Sequence, residues 1–130
     1  MRGKAETVIA AYRPKPGKAQ VLRKLVREHR RTLEAAHLTS LQPTILLRAR
    51  SDGTLLEIFE WASAKAADEA YQHPSIRGMW NKLARVADFV PLSEIEEAHS
   101  AFSHFEGVAP KRRRTRALAS NRASSQRPKR

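Results

Sequence analysis

Pro43-Thr-Ile-Leu-Leu-Arg-Ala-Arg-Ser-Asp-Gly-Thr-Leu-Leu-Glu-Ile-Phe-Glu-Trp61 is the stretch on which the fold turns. Two apolar runs, Pro43 to Arg50 and Thr54 to Trp61, flank Ser51-Asp52-Gly53. An Asp-Gly pair between such runs signals a β-hairpin, because glycine reaches the positive φ that a tight reversal requires. Side chains alternate across a strand, so Leu56 and Ile58 point one way and Leu55, Glu57, Phe59 and Trp61 the other. Both faces are largely apolar, and both are therefore expected to be covered. Two helices cover one face of a four-stranded sheet. A partner subunit is the simplest cover for the second, which predicts a homodimer through the sheet face.

Upstream, Thr7 to Tyr12 reads as a strand that Arg13-Pro-Lys-Pro-Gly17 terminates. Proline lacks the amide donor and glycine permits the turn. From Lys18 to Ala36, Leu22, Leu25, Val26, His29 and Leu33 recur with the period of one helical face. Arg23, Lys24, Arg27, Arg30 and Arg31 give that helix a basic outer surface.

Downstream, Ser63 is placed to cap a helix over Ala64 to Gln72. His73-Pro74 interrupts it, and Ser75 to Ala87 resumes with an apolar stripe of Ile76, Met79, Trp80, Leu83 and Ala84. Phe89 to Leu92 is extended. Ser93-x-x-Glu96 is a capping box that predicts one or two helical turns from Glu94 to His99. Ala101 to Val108 is short and aromatic enough for a closing strand. The order is β-α-β-β-α-β, the split βαβ pattern. It predicts an α+β, ferredoxin-like fold: an antiparallel four-stranded sheet with helices on one face.

The chain has 130 residues and a net charge of +12. Nine of those positive charges lie beyond residue 108, where there is no Asp or Glu, so residues 1–108 carry only +3. The division is one domain, 1–108, and a basic tail, 109–130, too poor in large apolar groups to offset the cost of ordering itself and hence expected to be disordered. Such a tail can contact nucleic-acid phosphates. It lacks interleaved aromatics for stacking on bases, and a merely solvated extension is the plainer reading. Lys111-Arg-Arg-Arg114 also resembles a nuclear-localisation patch. Cysteine is absent, which excludes disulfides, thiolate nucleophiles and cysteine-rich zinc sites. The apolar run Val8 to Tyr12 is shorter than the roughly 7–15 residues of a signal-peptide core. No stretch approaches the roughly 18 apolar residues of a membrane span. A soluble, cytoplasmic protein without membrane contact is expected.

These features together resemble the antibiotic biosynthesis monooxygenase family of dimeric α+β-barrel proteins. They are Lys15-Pro-Gly-Lys18 before the first helix, the Asp52-Gly53 hairpin, Glu57-Ile-Phe-Glu-Trp61 followed by Ser63, Pro74 with Met79-Trp80, and Phe102-x-x-Phe105. The resemblance covers about residues 6–108. It implies a homodimer with a pocket between sheet and helices in each subunit, and oxidation of quinols or polycyclic aromatics by O₂, or degradation of haem in some members. Fold alone does not choose among these. Many members carry a helix-2 histidine where this chain has Ala70, with His73 displaced against the proline. The haem-degrading pattern departs further: Thr7 to Arg13 holds no asparagine, and Trp80 stands where an axial imidazole is needed. Haem is therefore not expected, and with no Rossmann fingerprint or phosphate loop any oxygen chemistry is expected to be cofactor-free.

Glu57, among apolar neighbours, is either salt-bridged, to an arginine such as Arg48 on the adjacent strand or across the dimer, or a general base with a pKa raised by burial. His73 either caps the following helix or deprotonates a phenolic substrate, with Tyr71 assisting by hydrogen bonding. Trp80 is core or a pocket wall that stacks on an aromatic ligand; Trp61, at the end of a strand, is core or interface, and with Phe59 it is a candidate substrate contact. His29 reads as a satisfied core or edge histidine and His37 as a partner of the helix dipole. His99 and His104 make no recognisable metal pair. The chemistry expected is cofactor-independent monooxygenation of a small aromatic or quinol. The alternatives are a non-catalytic ligand-binding or structural dimer and a nucleic-acid-associated protein acting through its tail.

Overall fold

A computed structural model describes residues 5–109. The expected basic tail, from residue 110 on, lies outside the described residues. The elements are β1 (Thr7–Pro14), α1 (Ala19–Ala35), β2 (Ile45–Arg48), β3 (Leu55–Glu60), α2 (Ala66–Gln72), α3 (Pro74–Val86), β4 (Ala87–Phe89) and β5 (Glu106–Gly107). Two 3₁₀ turns, Leu92–Glu94 and Glu96–His99, lie between β4 and β5. The fold is α+β, with an antiparallel five-stranded open sheet in the order β4-β1-β3-β2-β5. No helix among the described residues is long and apolar enough to cross a membrane.

The expectation of four strands needs correction. The chain turns into β4 directly as α3 ends and pairs with β1 at Tyr12–Phe89, Arg13–Asp88 and Pro14–Ala87. The segment expected to close the sheet instead contributes a two-residue strand at the opposite edge, where Arg48 meets Glu106. The ion pairs Arg48 Nη1–Glu106 Oε1 (2.7 Å) and Arg50 Nε–Glu106 Oε2 (2.9 Å) hold that edge.

Turn chemistry sets the register. Lys18 N–H donates to the Lys15 carbonyl across Pro16-Gly17, with Gly17 at φ 74°, a reversal that a Cβ would strain. Gly53 sits at φ 79° in the β2–β3 hairpin. Asp52 Oδ1 accepts from both the amide (3.0 Å) and the hydroxyl (2.6 Å) of Thr54. Burial works against it, but the Thr54 and Arg13 hydrogen bonds hold the Asp52 carboxyl below its ordinary pKa. The Ser63 and Ser93 caps do not form as side-chain bonds. The second helix begins only at Ala66, and Ser93 contributes its carbonyl to His99 Nε2 instead.

The helices pack on one face of the sheet, where Tyr12, Leu22, Val26, Leu55 and Leu83 form one cluster and Leu33, Phe59, Ala70 and Ile76 another. On the second face the chain covers itself in part: Ile95, with Val90, Ala98 and Phe105, packs on Ala11, Ala49 and Leu56. Two residues along each strand on that same face, Ile9, Ile58 and Ile45 stand in register across β1, β3 and β2. Ile9 and Ile45 of that row are exposed.

Candidate functional site

β3 is the central strand, and alternation turns Leu55, Glu57 and Phe59 toward the helices. Glu57 faces Ala10 and Leu46 in register, neither of which can bond a carboxylate. It is only 1% exposed, so partners must come from elsewhere. Tyr12, two residues along β1 on the same face, donates its hydroxyl to Glu57 Oε1 at 2.7 Å. His29 reaches from the buried stripe of α1, with Nδ1 at 2.9 Å from Oε1 and 3.2 Å from Oε2. Trp80 of α3 donates its indole Nε1–H to His29 Nε2 at 2.9 Å.

The chain of bonds determines its own protons. An indole nitrogen only donates, so His29 Nε2 must accept, and the imidazole proton sits on Nδ1 and points at Glu57. Glu57 accepts from both neighbours. Burial, then the charge of Glu57 and the hydrogen bond to it, push the Tyr12 phenol well above its ordinary pKa. Its hydroxyl therefore stays a donor.

Beside this chain lies a pocket of about 380 Å³, within the roughly 300–1,000 Å³ range of small-molecule sites. Its walls are aromatic: Phe59 meets Trp61 edge-on at 5.0 Å between ring centroids, Tyr71 meets Trp80 at 5.2 Å, and Phe89 meets Tyr12 at 5.5 Å. Tyr12 and His29 form the polar side. The pocket exists because β4 pairs with β1 only from Tyr12 to Pro14, leaving Val8, Ile9 and Ala10 along an uncovered edge.

The structure thus gathers Phe59, Trp61, Tyr71 and Trp80 around one pocket, with Glu57 bonded to two of its lining residues. His73 is not among them. It lines a separate open cavity with Thr32, Ser75, Met79 and Lys82, its Nδ1 buried without a partner among the described residues. It occupies the junction of α2 and α3 in extended conformation and makes no side-chain cap. The expected Glu57–Arg48 bridge is replaced by Glu57–Tyr12 and Glu57–His29, since Arg48 turns to the Glu106 edge. Sequence reasoning missed Tyr12 and passed over His29 as a satisfied core residue. The available signal was a polar group on each of three apolar faces, each needing a partner once buried. His37 adopts a positive φ of 58° in the turn after α1. Glu57 also lines a second cavity of about 90 Å³ with Val26, Arg27, Arg31 and Thr44.

No protein-family model, curated protein or solved structure matches the chain. Fold and site together define an α+β protein with a ligand-sized aromatic pocket between sheet and helices, floored by a buried Tyr-Glu-His-Trp chain.

Proposed function

We propose that the chain binds a small hydroxylated aromatic molecule, of phenol or quinol type, in the pocket between β1 and α2–α3. The observation that carries this is a pocket with aromatic walls that Tyr12, hydrogen-bonded to the buried Glu57, helps to line. Rings favour edge and offset contacts with Tyr71 and Trp80. The Tyr12 oxygen donates to Glu57 and keeps lone pairs for a ligand hydroxyl. The experiment is titration of the full chain with 2-naphthol, read by tryptophan fluorescence. Saturable quenching is expected, with Tyr71→Ala and Trp80→Ala each weakening binding about tenfold, the loss of one stacking contact. Equal affinity in both variants overturns the reading.

Catalysis is the second reading, favoured by the buried carboxylate one hydrogen bond from the pocket. In it the protein is of the antibiotic biosynthesis monooxygenase kind and oxidises its ligand with O₂ without a cofactor. Tyr12 and Glu57 take the proton-accepting role that the sequence suggested for His73. Oxygen uptake against hydroquinones and anthrones tests it, and no uptake with a ligand that binds returns the protein to a binding role.

The same reading includes a ferredoxin-like core, supported by the order β4-β1-β3-β2 with β5 as an added edge. It also includes a homodimer in which a second copy covers the Ile9–Ile58–Ile45 row.

A further inference from the structure

Glu57 belongs to two cavities at once. On one side its partners Tyr12 and His29 line the aromatic pocket. On the other it lines the cavity of about 90 Å³ under α1, together with Arg27, Arg30, Arg31, Thr44 and Val108. A water needs roughly 10–15 Å³ of such space and two or more polar partners. The wall here supplies the Glu57 carboxylate and the Arg27 guanidinium, whose Nε is buried without a partner among the described residues.

We propose that Tyr12 and Glu57 form a proton exit from the aromatic pocket into this arginine-rimmed cavity. The inference rests on the pocket taking a hydroxylated aromatic ligand. The ligand O–H bond breaks as its proton passes to the Tyr12 oxygen, while the Tyr12 proton passes to Glu57. Glu57 then gives that proton to water in the second cavity and returns to carboxylate. The net change is a bound aromatic anion and one proton delivered to solvent, with Tyr12 and Glu57 restored.

Besides Tyr12, the charged and titratable groups that face Glu57 come from α1. Arg27, Arg30 and Arg31 of α1 face the cavity, and of these Arg30 is already paired with Glu34. His29 stays out of the transfer because Trp80 occupies its Nε2. It positions the carboxylate instead.

The test is binding of 4-nitrophenol to the full chain in weak buffer, at a pH where the free probe is mainly neutral. Its neutral and anionic forms differ in visible absorption, and an added indicator reads proton release. The wild-type chain is expected to hold the probe as the anion and to release about one proton per molecule bound. Tyr12→Phe and Glu57→Gln are expected to hold it neutral, with release reduced about tenfold or more. Should Glu57→Gln not fold, Tyr12→Phe decides, since it keeps the ring and removes only the relay atom. Thr44→Phe, which fills the second cavity, is expected to slow release about tenfold while leaving the equilibrium spectrum unchanged. Failure of the wild-type chain to bind the probe overturns the pocket reading itself. Binding as the anion in both relay variants overturns the proton exit and leaves the pocket standing. An unchanged rate in Thr44→Phe overturns the route through the second cavity.

Discussion

Trp80 Nε1 lies 2.9 Å from His29 Nε2, an indole donor on an imidazole acceptor that ties α3 to α1 beside the aromatic pocket. This one bond sets the His29 tautomer and so the direction of the whole chain to Glu57. Trp80→Phe keeps an aromatic wall and removes only the donor. It leaves a buried imidazole nitrogen unpaired, at a cost of about 1–3 kcal/mol. Urea unfolding read at Trp61 measures this, and imidazole ¹⁵N shifts should show His29 losing its single tautomer. An unchanged midpoint and unchanged shifts would remove the bond from the account.

His29→Leu strands Glu57 on Tyr12 alone in a site with almost no solvent access. A loss of about 3 kcal/mol or more is expected, because a buried charge is left without half its partners. Adding Glu57→Leu to that variant should recover part of the loss. The double-mutant cycle then yields a coupling of about 1–3 kcal/mol. Strictly additive losses would show that the two residues act independently.

Tyr12 makes stability depend on pH at the alkaline end. Burial and Glu57 raise its pKa in the folded state above the unfolded value, which is about 10. Its contribution is therefore complete below about pH 10 and is lost as pH rises toward the folded value, since only the unfolded chain ionises there. Unfolding midpoints measured from neutral pH to above pH 10 should fall in the wild-type chain and fall less in Tyr12→Phe. Parallel curves would contradict the assignment.

Gly17→Ala isolates a backbone effect. A Cβ at this position meets no heavy atom within 4 Å, so the φ of 74° is the only obstacle. A loss of about 1–2 kcal/mol is expected from the left-handed conformation alone, with ligand binding unchanged. Chemical unfolding beside a 2-naphthol titration separates the two.

The proposed dimer is tested on the isoleucine row. Ile45→Glu puts a charge at the exposed end of Ile9–Ile58–Ile45. Sedimentation should show the wild-type chain as a dimer and the variant as a monomer of unchanged circular dichroism. A wild-type chain that sediments as a monomer ends the proposal.

Much of the fold was legible because local physics decides it. The Pro16-Gly17 and Asp52-Gly53 reversals, the alternation in Leu55–Glu60 and the helical stripe of Leu22, Val26, His29 and Leu33 each depend on residues a few positions apart. The closing strand was misplaced for the opposite reason. Ala87–Phe89 is too short to carry a period, and only its pairing with Tyr12–Pro14 makes it a strand. Part of the site was legible as well. Glu57 was conspicuous as a carboxylate in an apolar strand, and Trp80 and Tyr71 as aromatics near one helical junction.

The sequence by itself determined the first strand, the first helix, the β2–β3 hairpin and the two helical segments after it, together with the polar residues that burial would force into partnership. It could not name the partners, because Tyr12, His29, Glu57 and Trp80 are separated by 17 to 51 positions along the three links His29–Trp80, His29–Glu57 and Tyr12–Glu57 and between Tyr12 and His29. Only the tertiary structure brought each bonded pair within about 3 Å. It left His73 elsewhere, since a kink between two helices points its side chain by packing, not by sequence distance. Hydrogen-bond energy falls away within a few tenths of an ångström, so the site belongs to the packed geometry while the turns and amphipathic stripes belong to the chain.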